Sequence, residues 1–175
     1  GTTAICWHEL SKLRMYYSDD YVELRGDFSF PGDFVYEYVF ANASGSGVNP
    51  ACYVRINHGV DQIFYHVFYP STGGMNANVV GGNQPMPYMT PAGALVDKST
   101  FRISRVGTMI NIGWHFGADT PADEDFTWGT AANSPSITGS DVLSFVILMG
   151  SNHSSGWSDM DILSTRLISG TARLG

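Results

Sequence analysis

Apolar and polar residues alternate with a period of two along much of this chain and almost nowhere with a period near 3.6. The clearest stretch is 101–116, FRISRVGTMINIGWHF. Its two alternating segments flank Gly107-Thr108. A two-residue hairpin loop there sets Phe101 opposite Trp114, Ile103 opposite Ile112 and Arg105 opposite Ile110. The other side of the hairpin then carries Arg102, Ser104, Asn111 and Gly113. One side suits a core and the other a polar surface. A second hairpin spans 52–69 and turns at His58-Gly59-Val60-Asp61. With Asn57 opposite Gln62, Arg55 meets Phe64 and Tyr53 meets His66. Cys52, Val54, Ile56, Ile63, Tyr65 and Val67 fall on its apolar side. A slip of one residue would bury Arg55 and expose Ile56, so the pattern pins the register.

Segments 34–40 and 142–149 are apolar on both sides, which predicts central strands. Further strands are expected near 4–8, 14–17, 21–25, 52–57, 62–69, 78–80, 101–106, 109–116, 126–128 and 159–167. The stretch 2–13 is the one helical candidate, and it reads as well as strand. Irregular stretches are expected at 43–50, 70–97 and 117–140, lengths that usually mark functional loops. Pro85, Pro87 and Pro91 stiffen the second of them. A dozen short strands separated by Gly, Pro, Asn, Asp and Ser predict an all-β antiparallel two-sheet β-sandwich, with 1–175 as a single domain.

Composition narrows the partners. Only 14% of the 175 residues are charged, so solubility rests on Ser, Thr, Asn, Gly and Tyr. Such a surface suits an extracellular or virion-surface location. The net charge is −7, and Lys12 and Lys98 are the two lysines. No basic stripe exists, which argues against nucleic acid and against anionic membranes. No run of about eighteen apolar residues predicts a membrane-spanning helix. The start of the chain carries no secretion-signal pattern, which says little about compartment. Cys6 and Cys52 read either as two free thiols or as one disulfide, and the sequence leaves both open.

Three short patterns carry a family resemblance. They are Asp27-Phe28-Ser29-Phe30 with Gly32-Asp33-Phe34, then Phe101-Arg102-Ile103-Ser104-Arg105-Val106-Gly107, then Asp159-Met160-Asp161-Ile162-Leu163. In this order the chain resembles the concanavalin A-like lectin/glucanase superfamily. The resemblance implies a jelly roll of two curved antiparallel sheets, with ligands, commonly sugars, on the concave face or its rim. The glucanase branch carries its acids on one strand in an ExDxxE pattern, which this sequence lacks. Asp159 and Asp161 are spaced to share a strand side, but no third acid follows. The alginate-lyase branch uses a Gln-Ile/Val-His triplet with Arg and Tyr. Gln62-Ile63-Phe64 supplies two of its three residues, and His66 and Tyr65 stand at the wrong spacing.

Other chemistry is thin. His8-Glu9 is not followed by a histidine four residues on, and no GxSxG, P-loop or dinucleotide fingerprint occurs. The Arg25-Gly26-Asp27 triplet reads as chance, and the Asn42 and Asn152 sequons matter only on a eukaryotic secretory route. No cofactor is required. A structural Ca²⁺ is allowed for by Asp119, Asp123 and Asp125, beside Glu124, since calcium takes six to eight oxygens. The same acids read equally as a solvated loop.

A sugar-binding surface matches more residues: Tyr53, Arg55, Asn57, Gln62, Phe64 and His66 on one hairpin, Arg102, Ser104 and Asn111 on the other, with Trp128 and Trp157 in loops. Aromatic rings beside amides and guanidinium groups suit the apolar faces and hydroxyls of sugars. The tryptophans could equally plug the sandwich ends. The leading expectation is therefore a non-catalytic carbohydrate-binding or adhesin-type domain with a glycan or polysaccharide partner. The alternatives are a phage structural domain assembling with other virion or cell-surface subunits, and a polysaccharide hydrolase or lyase.

Overall fold

A computed structural model describes the backbone of residues 5–9, 12–17, 22–69, 74–82, 88–89, 98–117 and 120–174. Side chains are described at 29–41, 53–67, 75–82, 98–117, 120–146, 161 and 163–173. Thirteen strands form among the described residues: β1 (Ile5–Glu9), β2 (Lys12–Tyr17), β3 (Val22–Pro31), β4 (Phe34–His58), β5 (Asp61–Tyr69), β6 (Gly74–Val79), β7 (Tyr88–Met89), β8 (Ser99–Val106), β9 (Met109–Phe116), β10 (Thr127–Trp128), β11 (Ala132–Asn133), β12 (Val142–Gly170) and β13 (Arg173–Leu174). One 3-10 turn spans Asp123–Asp125.

The strands pair antiparallel and stack as two layers. In the first, β13 lies beside β3, then the front half of β12, the back half of β4, β5, β6 and β7. In the second, β1 lies beside β2, then the back half of β12, the front half of β4, β8 and β9, with β10 and β11 on the far edge of β9. Strands β4 and β12 therefore serve both layers. Their mutual pairing runs from Ser144↔Asn57 to Gly170↔Phe34 and is broken by four register shifts, where an unpaired residue lets the strands bend.

Alternation places the core between the layers. Phe34, Tyr36, Tyr38, Phe40, Phe101, Ile103, Ile110 and Ile112 face inward from the second layer. Phe30, Val54, Ile56, Phe64, Met75, Ala77, Val79, Leu143 and Phe145 meet them from the first. Rings do much of the packing: Phe40 and Phe101 lie 5.0 Å apart, and Tyr36 and Phe145 lie 4.8 Å apart across the layers.

The hairpin of 101–116 has the predicted register, with Phe101↔Trp114, Ile103↔Ile112 and Arg105↔Ile110. Gly107 holds φ of 61°, the left-handed conformation its two-residue loop requires. Arg105 faces inward at the end of this hairpin and is buried. Its guanidinium donates to the carbonyls of Gly107 (3.0 Å), Asp141 (2.6 Å) and Thr138 (2.6 Å), which ties segment 138–141 to the hairpin tip.

The second hairpin departs from expectation. Asn57 pairs with Gln62 as predicted, but the register shifts just beyond, so that Ile56 meets Phe64, Arg55 meets Tyr65 and Val54 meets His66. Ile63 is the extra residue. It and Phe64 both enter the core, which turns the rest of β5 over. His66 and Phe64 consequently lie inside, and Tyr65 lies outside with Arg55. Segment 43–50 is also strand and not loop, because its backbone pairs with β12 from Ser151 to Asp159. The expected strands 142–149 and 159–167 are one continuous strand for the same reason. The side chains of Cys6 and Cys52 lie outside the described residues, as does Asp119.

Candidate functional site

The two outward faces of the sandwich differ in kind. On the second layer, Glu37, Arg102, Gly113 and Trp128 stand in one cross-strand row. Glu37 is buried and accepts from Arg102 Nε at 2.8 Å and from Arg166 Nε at 2.6 Å. Arg102 also donates to Asp123 Oδ1 at 2.5 Å, and its guanidinium carbon sits 4.1 Å from the centre of the Phe126 ring. The loop after β9 is thereby strapped across β8 and β9. Burial alone would raise the Glu37 pKa, but the hydrogen bonds and charges of Arg166 and Arg102 more than offset it and hold the carboxyl below its ordinary 4.5. Trp128 lies flat on Gly113, where a Cβ would come within 2.8 Å of the indole, and is 41% exposed. On this face Arg102 and Arg166 are already matched by acids.

The first layer presents the opposite case. Along β4, Tyr53, Arg55 and Asn57 point outward, opposed on β5 by Val67, Tyr65 and Gln62, and on β6 by Asn76 and Asn78 opposite Val67 and Tyr65. Ser144 and Val146 of β12 complete the row beside Asn57 and Arg55. The Arg55 guanidinium lies 5.2 Å from the Tyr53 ring centre and directly opposite Tyr65. Its Nε is enclosed and makes no hydrogen bond, and the same holds for Asn57 Oδ1. These outward residues include no carboxylate.

The residues expected to bind sugar thus divide. Tyr53, Arg55, Asn57 and Gln62 share the outer face of the first layer, Asn57 being buried at its end. His66 is corrected to the core: Tyr38 Oη and His66 Nδ1 lie 2.8 Å apart, and the His66 and Phe101 rings are 4.4 Å apart. Burial lowers the His66 pKa to about 3 and raises that of Tyr38. Arg102 is on the other layer, buried in the Glu37 pairing. Asn111 is half-buried there and accepts the N–H of Ile112 at 2.9 Å. Trp128 is on that second face too. Trp157 lies in β12, its backbone paired with Tyr16 and Ser46, and its side chain is outside the described residues.

Sequence reasoning missed Tyr65, Asn76 and Asn78 on the first face. The doublet Ile63-Phe64, two large apolar residues in succession, was the available signal for the bulge that exposes Tyr65. The alternation Met75-Asn76-Ala77-Asn78-Val79 was the signal for the amides.

Of the proposed calcium ligands, Asp119 lies outside the described residues. Asp123 is taken by Arg102, and Asp125 Oδ2 accepts the N–H of Ala122 at 2.8 Å, closing its own turn. Among the described residues no three His, Cys, Asp or Glu side chains gather as a metal site.

No protein-family model and no curated protein matches this chain. Solved structures do. A functionally unknown protein from Saccharomyces cerevisiae is 12% identical, with 99% of this chain and 97% of that chain covered and a TM-score of 0.62. An alginate lyase from Corynebacterium sp. is 11% identical, with 92% and 68% covered and a TM-score of 0.57. The alginate lyase AlgAT5, of polysaccharide lyase family 7, is 10% identical, with 93% and 69% covered and a TM-score of 0.55. The chain therefore has the concanavalin A-like jelly-roll fold, a scaffold that such lyases share.

Proposed function

We propose that this chain is a non-catalytic carbohydrate-binding β-sandwich module that takes its ligand on the outer face of the first layer. The observation that carries this reading is the row Tyr53, Arg55 and Tyr65, flanked by Gln62, Asn76 and Asn78. Two phenol rings and a guanidinium offer stacking surface, and the amides offer paired donors and acceptors for hydroxyls. A glycosidase needs two carboxylates about 5 to 10 Å apart, and the described side chains of this face provide none. On the other face Glu37 is locked between two arginines. A lyase needs a group to remove the sugar-ring proton, and His66, which stands at the wrong spacing for the lyase triplet, is enclosed by the core. The alginate lyases of the same fold favour a polysaccharide ligand over a small molecule.

Such a shallow face binds one sugar weakly, so function would rest on several contacts or several copies. Display outside the cell, on a cell or virion surface as an adhesin-type domain, fits this use.

The test is a glycan and polysaccharide array probed with the wild type and with Tyr53→Ala and Tyr65→Ala. Binding that falls about tenfold in either variant, the equivalent of ~1.4 kcal/mol, is expected. Absence of binding to any glycan overturns the reading, and a stable oligomer on size-exclusion chromatography would then favour an assembly domain. Absorbance from unsaturated products during incubation would replace it with a lyase.

A further inference from the structure

Among the described residues, the outer face of the first layer holds a cation, Arg55, that no carboxylate contacts. Arg102 and Arg166 are paired with Glu37, and Arg105 is capped by three carbonyls. Arg55 has neither arrangement. Its contact is the Tyr53 ring, its Nε is enclosed without an acceptor, and its neighbours on the face are Tyr65, Asn57 and Val146. Asn57 is 7% exposed, and its Oδ1 is likewise enclosed without a donor. An unmet donor and an unmet acceptor thus stand two residues apart on one strand, about 7 Å along the face. Leaving such groups unmet is costly to the fold.

Resting on the carbohydrate reading above, we infer that this face is specific for acidic glycans, with Arg55 reading a carboxylate or sulfate. A planar guanidinium takes a carboxylate through two nitrogens together, and the two terminal nitrogens of half-buried Arg55 are not enclosed as its Nε is. A neutral hydroxyl can occupy only one of those positions. Tyr53 and Tyr65 flank the anion with ring surface, and the Asn57 amide takes an adjacent hydroxyl. The rest of the molecule opposes such a ligand. At a net charge of −7 a diffuse attraction to polyanions is absent, so binding of one must come from a local site.

The decisive probe is a neutral β-glucan against its own carboxymethyl derivative, since the two differ only in the acid. Isothermal titration with the full chain should show the carboxymethyl form binding at least tenfold tighter at 20 mM salt. That advantage should shrink severalfold at 500 mM salt, because charge pairing at a half-exposed site is still screened. Arg55→Gln should lose the preference and keep residual binding of the neutral form. Arg55→Lys should keep part of the salt-dependent preference, and equal melting temperatures of both variants establish that they fold. Equal affinity for the two polymers, or a preference that survives in Arg55→Gln, overturns the inference and leaves the carbohydrate reading standing. Failure of both polymers, together with an empty glycan array, overturns the two at once.

Discussion

Tyr38 and His66 join the two layers through one polar contact inside an apolar, ring-lined core. Burial holds the imidazole neutral in the folded protein, with its pKa lowered from 6.5 to about 3. The unfolded chain takes up a proton on this ring below pH 6.5, and the folded chain does not until about pH 3. Stability therefore declines as pH falls through that window, by up to ~1.4 kcal/mol per pH unit from this group alone. His66→Phe should flatten the slope between pH 6.5 and 5, a range in which carboxylates contribute little. Urea unfolding at pH 7, 6 and 5 measures it, and an unchanged slope would put His66 in water. Tyr38→Phe should cost ~1–3 kcal/mol at pH 7, because it strands the ring nitrogen in the core. A regular two-residue alternation puts His66 on the sugar face with Tyr53. A single extra residue at Ile63 reverses that, and a bulge is selected by how β5 meets β4 and not by β5 alone.

Glu37 links elements far apart in the chain. It receives Arg102 from 65 residues away and Arg166 from 129 residues away, so one carboxylate fixes β4, β8, β12 and, through Arg102 and Asp123, the strap over β9. Its carboxyl is held below 4.5 despite burial, so the stability it provides is complete above pH 4.5 and is lost as pH falls through its lower folded value. Glu37→Gln leaves Arg102 enclosed without its main partner and should cost ~3 kcal/mol or more at neutral pH. The same variant should lose this part of the decline below pH 4.5, a region separate from the upper His66 window. Thermal unfolding at pH 7 and pH 4 distinguishes the two, and a near-neutral effect at pH 7 would mean that the pairing does not hold. Glu37 is the one charge in FVYEYVF, a segment whose pattern reads as apolar on both sides. Its partners could not be read, because ion pairs at such separations are set by topology. Local pairing was far more legible: the 101–116 hairpin follows from alternation and one Gly107 turn.

The whole molecule hangs on two strands that belong to both layers. β4 and β12 pair with each other almost throughout, and each then carries other strands outward in both sheets. The sandwich itself was legible, because each layer's inward residues alternate. The continuity of these strands was not, since segment 43–50 and its partner 151–159 are rich in Ser, Asn and Gly and imitate turns. Backbone hydrogen bonds hold them regardless of side chain. This architecture has a thermodynamic consequence. Neither layer can keep its central strands while the other melts, because both draw on β4 and β12, and the aromatic core between them is shared. A single cooperative unfolding transition is expected, with far-ultraviolet dichroism and tryptophan fluorescence superimposing in urea. Phe145 sits at the junction, on β12 in the first layer, with its ring 4.8 Å from Tyr36 and 6.0 Å from Tyr38 of the second. Phe145→Ala should lower stability by ~3–5 kcal/mol, the range for emptying a large aromatic site. The loss should move the midpoint of both signals together with little change in slope, since the same surface is still exposed in one step. Two separated transitions, in the wild type or in this variant, would show that the layers are independent and that the long strands break between them.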